Sequence, residues 1–179
     1  MNRIDVDHEN GCIVIYEGSS SKEIARLDKV SLNEYLKVLY GPIELFAYKN
    51  PDYSPLAFSL SAGRYNYESQ GCCYTAESIR LAQLEIQSWQ NRKLYKVNSP
   101  IIYYLDLLQI AIDYDFASTI TQHSCAGGWE PTQKLQSLFT NHFGLTALRV
   151  PSSKNPNQAC MDFYADFSLP DGFFIEVKI

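Results

Sequence analysis

Apolar residues in this chain come mostly in short β-branched or aromatic runs cut off by turn residues, with only a few stretches at helical spacing between them. A chain of this kind builds sheets from brief strands and lacks the strict strand–helix alternation of a doubly wound sheet. An α+β fold with mixed or antiparallel sheets and flanking helices is expected. Residues 12–16 (Cys-Ile-Val-Ile-Tyr) read as a strand before a Gly-Ser turn. Ser31-Leu32-Asn33-Glu34 is a capping-box pattern, and Leu32, Tyr35, Leu36 and Leu39 follow at helical spacing until Gly41-Pro42 stops the helix. Residues 43–48 read as a strand, and a second short strand ends near Tyr74. Ser78 is the expected N-cap of a helix over about 79–91, with Ile79, Ala82, Ile86 and Trp89 as its apolar stripe and Glu85 at the stripe's edge. Strands are expected at 101–108, 145–150, 158–167 and 172–179, and a helix at 132–143, while 109–123 is ambiguous. At 179 residues with no linker, the chain reads as one domain, with residues 1–42 as an N-terminal subregion.

Charge and cysteine usage exclude several function classes. The formal net charge is −5 and the 15 lysines and arginines are scattered, so no basic stripe can track a phosphodiester backbone and nucleic acid is not an expected partner. A small anionic ligand needs only one or two arginines and stays open. Five cysteines, an odd number with Cys72-Cys73 adjacent and no C-x-x-C, argue against a disulfide framework or a structural zinc site. A reducing cytoplasm is the expected working compartment. No apolar stretch approaches membrane-spanning length, so no membrane partner is expected. The acidic, polar start Met1-Asn2-Arg3-Ile4-Asp5 does not read as a secretory signal. Delivery into another cell would then need a different route.

Residues 63–85 carry most of the chemistry. Gly63-Arg64-Tyr65-Asn66 places an arginine after a glycine, where the backbone can approach a ligand closely and the guanidinium fork fits phosphate oxygens. A surface arginine in a turn is the ordinary alternative. Tyr74 closes a strand and is either packed or a stacking face. Glu85 has Leu81, Ala82 and Trp89 one turn away, so its carboxylate falls at a rim or in a pocket unless Arg80, Arg92 or a remote lysine pairs with it. Ser152 follows a strand end without a Gly-x-Ser-x-Gly elbow, which fits capping or turn duty better than a hydrolytic nucleophile. His8, His123 and His142 lack metal-ligand spacing, Asp113 and Asp115 lack a calcium-loop pattern, and Gly127-Gly128 is too short for a phosphate loop. No metal is expected. The 13 tyrosines supply abundant surface for a pocket or an interface, although strands favour tyrosine too.

In their order along the chain, these segments resemble the RES domain, a toxin family named for its arginine, glutamate and serine. The matching pieces are Gly63-Arg64-Tyr65-Asn66, Tyr74-Thr75-Ala76-Glu77-Ser78 and Leu81-Ala82-Gln83-Leu84-Glu85. Trp129 with Thr132-Gln133-Lys134-Leu135, and Leu148-Arg149-Val150-Pro151-Ser152-Ser153 with Asn157, complete them. The likeness runs over about 43–170, within a RES-like core of about 43–179. It implies a fold like that of ADP-ribosyltransferase toxins and an enzyme that consumes NAD as substrate, with no further cofactor. It also implies a cognate antitoxin or immunity protein as partner. Arg64, Tyr74, Glu85 and Ser152 take the family's catalytic positions. Upstream, the family's expected arginine is absent from Leu45-Phe46-Ala47-Tyr48-Lys49; there Tyr48 is the match to its aromatic residue and Lys49 the group to supply the charge, so Tyr48, Lys49, Arg64, Tyr65 and Tyr74 form the implied NAD-binding set. The glycine pair before the arginine is reduced to Ala62-Gly63.

The resemblance implies cleavage of the nicotinamide–ribose bond, by water or phosphate, through a state with positive charge at the anomeric carbon. A carboxylate beside the ribose and a clamped diphosphate stabilise such a state by charge and position. A protein-directed ADP-ribosyltransferase would use the same residues. A non-catalytic binding module would explain the tyrosines without chemistry, and release of free nicotinamide separates it from both enzymes.

Overall fold

The computed structural model describes residues 1–60, 64–65, 67, 70–86, 91–121, 130–145, 147–164 and 169–178. The chain begins with an antiparallel meander of β1 (Arg3–Asp7), β2 (Cys12–Tyr16) and β3 (Glu23–Leu27). A short helix α1 (Lys29–Leu32) and one 3-10 turn (Asn33–Tyr35) follow. Among the described residues the larger sheet has eight strands: β4 (Leu36–Tyr40), β5 (Phe46–Lys49), β6 (Cys72–Ala76), β7 (Lys93–Val97), β8 (Ile101–Asp106), β9 (Ala147–Pro151), β10 (Ala159–Tyr164) and β11 (Phe174–Glu176). Their order is β11-β7-β5-β6-β10-β9-β8-β4. Every described pairing is antiparallel except β8 with β9. That parallel pair needs a long crossover, supplied by α3 (Leu107–Asp113), α4 (Ala117–Thr121) and α5 (Glu130–Phe143). The remaining helix, α2 (Ile79–Glu85), follows β6. The fold is α+β, as the pattern of short runs predicted.

Strand alternation divides the core in two. On one face, Cys72, Ala76, Leu148, Val150, Cys160 and Tyr164 pack with α2, α3, α4, α5, Leu32 of α1 and the inward residues of the meander, among them Ile13 and Ile15. On the other, Ala47, Cys73, Ala147, Met161 and Phe163 pack with Ile43, Leu45, Phe173 and Phe174. No helix among the described residues is long and apolar enough to cross a membrane.

The expected helix from Ser31 to Gly41 is not formed. Asp28, not Ser31, caps α1 by accepting from the Ser31 amide, and the helix ends after one turn. Leu36–Tyr40 is a strand in register with β8, Leu36 opposite Leu105 and Tyr40 opposite Ile101. Leu36, Leu39 and Tyr35 satisfied the helical period locally, but ladder hydrogen bonds to β8 outweighed that weak preference. In α2 the buried residues are Leu81 and Ala82, whereas Ile79 is exposed. The inward face is rotated from the expected stripe, and Glu85 lies one turn beyond both Leu81 and Ala82 rather than at an edge. The helix ends at Glu85, short of the expected residue 91; Trp89 lies outside the described residues. The strand begun at Ile101 stops at Asp106, whose carboxylate accepts from the Gln109 amide and starts α3. The ambiguous 109–123 region contains helical α3 and α4.

Candidate functional site

A cavity of about 1090 Å³ opens beside the middle of the large sheet. Its origin lies in one strand pair. The described register of β5 with β6 is limited to Phe46 opposite Ala76, and Ser59 bridges to Cys72 further along β6. The two strands therefore part after Phe46, and the cavity occupies the opening. Tyr48 and Lys49 line it from β5, Cys72 and Tyr74 from β6, Glu85 from α2, and Arg64, Tyr65, Ser152 and Asp162 complete the wall. Arg64 and Glu85, 21 residues apart in sequence, thus face one shared space.

Glu85 is the best-anchored of these groups. Ser78 accepts from the Leu81 amide at 3.1 Å and fixes the start of α2. Burial of Leu81 and Ala82 then sets the helix's rotation, so its last residue points at the end of β9. There the Ser152 hydroxyl donates to Glu85 Oε1 at 2.5 Å and the Ser153 hydroxyl to Oε2 at 3.5 Å. The Cys160 thiol lies 3.8 Å from Oε1. Ser152 Oγ also accepts from the amides of Lys154 and Asn155, at 3.0 and 3.2 Å. Two backbone donors thus hold the oxygen that orients the carboxylate, and Ser152 is 1% exposed. A hydroxyl so engaged is a poor nucleophile and a good positioning group.

Arg64 is held by its backbone: the Thr132 hydroxyl in the first turn of α5 donates to the Arg64 carbonyl. Its Nε is buried without a hydrogen-bond partner among the described residues. Tyr65 is only 3% exposed and lies in the core beneath Arg64, where burial pushes its phenol well above the ordinary range. It is a floor residue rather than an open stacking face. Tyr74 is 40% exposed and is the tyrosine of this pair that offers a ring to the cavity.

Tyr48 and Lys49 do not work on the same side. Consecutive strand residues point to opposite faces. The Tyr48 hydroxyl accepts from Gln83 of α2 at 3.0 Å, and the Arg92 guanidinium lies 5.1 Å from its ring centre. The Lys49 ammonium instead sits 2.7 Å from Cys73 Sγ and 4.5 Å from the Phe174 ring centre. Arg149, inside the quoted Leu-Arg-Val-Pro-Ser segment, turns away to Glu77 and Asp106. Gly63, Asn66, Trp129 and the Gly127-Gly128 pair lie outside the described residues. No group of three or more potential metal ligands occurs among the described residues.

Asp162 and Cys160 are ionisable lining residues that the sequence reading did not assign to the site. Asp162 is 0% exposed in the middle of β10, and neither carboxyl oxygen has a hydrogen-bond partner among the described residues. Cys160 lies two residues earlier on the same face, against Glu85. An acid inside Ala-Cys-Met-Asp-Phe-Tyr was the signal available for Asp162, because carboxylates are rarely buried without partners.

A family model described as the RES domain matches residues 44–171, more than two thirds of the chain. The chain belongs to the RES domain family. No curated protein matches it in sequence. Among solved structures, this RES domain is similar in fold to a chain of the M. tuberculosis MbcT–MbcA toxin–antitoxin complex. The TM-score is 0.61 at 12% identity, over 82% of this chain and 87% of that one. Residues 1–43, which include the three-stranded meander and β4, precede the matched segment.

Proposed function

We propose that this RES domain is a toxin that depletes NAD by cleaving its nicotinamide–ribose bond, with water or phosphate as acceptor. The observation that carries this reading is the Glu85 carboxylate, fixed by Ser152 and Ser153 in the cavity that Arg64 and Tyr74 also line. At about 1090 Å³ the cavity is slightly larger than the usual range of small-molecule sites, about 300–1,000 Å³. That size suits an extended ligand such as a dinucleotide.

Each group has a task in this chemistry. Nicotinamide leaves as a neutral molecule, so no strong general acid is needed. Glu85 accepts from a ribose hydroxyl and stabilises the charge growing at the anomeric carbon. Arg64 engages the diphosphate, Tyr74 packs against the nicotinamide ring, and Tyr48, pinned by Gln83, closes the neighbouring wall. Lys49 reaches the anion only by leaving Cys73. Serine acts through Glu85, by fixing it. Membership of the RES family and the likeness to a toxin–antitoxin complex support the toxin role, a cognate antitoxin as partner and action in the cytoplasm.

Purified protein incubated with NAD, with and without phosphate, is expected to release nicotinamide. Glu85→Ala should keep the fold and lower the rate by about 10²–10³-fold, the usual loss for one electrostatic group. Equal NAD loss in the two proteins would remove Glu85 from the chemistry, and label transferred to a protein would point to a transferase instead.

A further inference from the structure

Asp162 has no place in the chemistry above, yet it lines the cavity, fully buried, from the middle of β10. Strand alternation puts it on the face shared with Cys160 and Tyr164, and its register partner on β6 is Tyr74. Two charged groups face it, the Arg64 guanidinium from the turn before β6 and the Glu85 carboxylate from α2. The other titratable groups around it are uncharged at neutral pH. They are Tyr65 and, on β6, Cys72, Cys73 and Tyr74, with Cys160 and Tyr164 on its own strand. Among the described residues none of these donates a hydrogen bond to either Asp162 oxygen.

A fully buried carboxylate without donors is disfavoured unless it takes up a proton. Glu85 and Asp162 are the two acids lining the cavity among its described residues. Glu85 has its two serine donors, so the charge belongs on Glu85. We propose that Asp162 is a positioning residue: as a neutral acid it leaves the Arg64 guanidinium free for an anionic ligand and Glu85 as the charged carboxylate of the cavity. The ligand half of this inference rests on the reading of Arg64 as a diphosphate clamp; the neutral state of Asp162 does not.

Burial first, and the Glu85 charge second, push the Asp162 carboxyl well above the ordinary 3.8, with Arg64 opposing. The folded protein therefore keeps a proton that the unfolded chain loses above 3.8. The stability contribution is full below that pH and is lost as pH rises through the folded-state value. Ionisation at high pH would also place a negative charge beside Arg64 and weaken its hold on an anion.

The test uses the intact chain. In wild-type protein carrying ¹³C-labelled aspartate carboxyls, one signal is expected to keep the position of a neutral acid at pH 7 and to be absent from Asp162→Asn. The Asp162→Asn protein should melt at or above wild type at pH 8, with the difference vanishing towards pH 4. Binding of inorganic pyrophosphate should be equal in the two at pH 6 and, at a pH where the wild-type Asp162 signal has ionised, weaker in wild type by about fivefold or more, a typical coupling between sites. Arg64→Ala should remove that binding. Aspartate signals that are all ionised at pH 7 in wild type would overturn the neutral state, whether or not the variant folds. Failure of pyrophosphate to bind, or equal binding by both proteins once the Asp162 signal has ionised, would overturn control of Arg64. Neither readout requires NAD turnover, so a failed NAD assay remains a separate result.

Discussion

Glu85 ends α2, where exposed carbonyls make the local field hostile to a negative charge. An acid at that position is held by what it meets, and it meets Ser152, Ser153 and Cys160. Ser152→Ala removes the closest donor and the oxygen that accepts from Lys154 and Asn155. The expected result is a fall in kcat for NAD cleavage of about 10²-fold, the scale of a misplaced reacting group, with KM changed much less. Steady-state kinetics on the folded variant check this; a change confined to KM would place Ser152 in ground-state binding. Arg64, Tyr74, Glu85 and Ser152 all line the cavity; Arg64 and Glu85 stood out from their own segments, whereas Tyr74 and Ser152 were singled out by the family resemblance. The motif order also linked segments far apart in sequence. Asp162 was not legible as a site residue: its flanks read as core, and only the sheet register shows that it lies opposite Tyr74. The opposed directions of Tyr48 and Lys49 follow from strand alternation, which applies only once β5 is known to run through both.

Among the elements, α2 depends on its N-cap more than its length suggests. Seven residues are too few for a helix to be stable by itself. Its order comes from the Ser78 cap and from the burial of Leu81 and Ala82. Ser78→Ala is expected to cost about 1 kcal/mol of stability. Because Glu85 is at the other end of the same two turns, the loss should appear as well in the rate of nicotinamide release. Chemical denaturation and the NAD assay on one preparation test the pair of effects; an unchanged midpoint would mean that tertiary packing alone holds the helix. The cap was readable from Ser78 and the apolar residues behind it. The β4 strand was not, because Leu36–Tyr40 satisfies a helical period and a two-residue alternation at once. The choice between them is made by β8, more than sixty residues away. Strands β1, β3 and β7 were likewise passed over, although Ile4 and Val6 alternate with charged residues in a way that fits a half-buried strand.

At the scale of the whole molecule, the N-terminal meander and the cavity share one core. Ile13 and Ile15 are fully buried in β2, in the same apolar cluster as Leu135, Leu138 and Phe139 of α5. The first turn of α5 holds the Arg64 backbone through Thr132. A family segment beginning near residue 44 therefore still has, as part of its support, residues that precede it. Ile13→Ala should cost about 2–5 kcal/mol, as deletions of buried aliphatic groups do, against a total of about 5–15 kcal/mol for a domain. If the meander belongs to the cooperative unit, thermal unfolding of this variant shifts as one transition, and loss of NAD cleavage on heating follows the same curve. Far-ultraviolet circular dichroism and residual activity, measured over one temperature ramp, decide it. Two separated transitions, with activity surviving the first, would make residues 1–42 an appendage that the catalytic part tolerates losing. Coincident curves would mean that the meander helps to keep α5 and Arg64 in place.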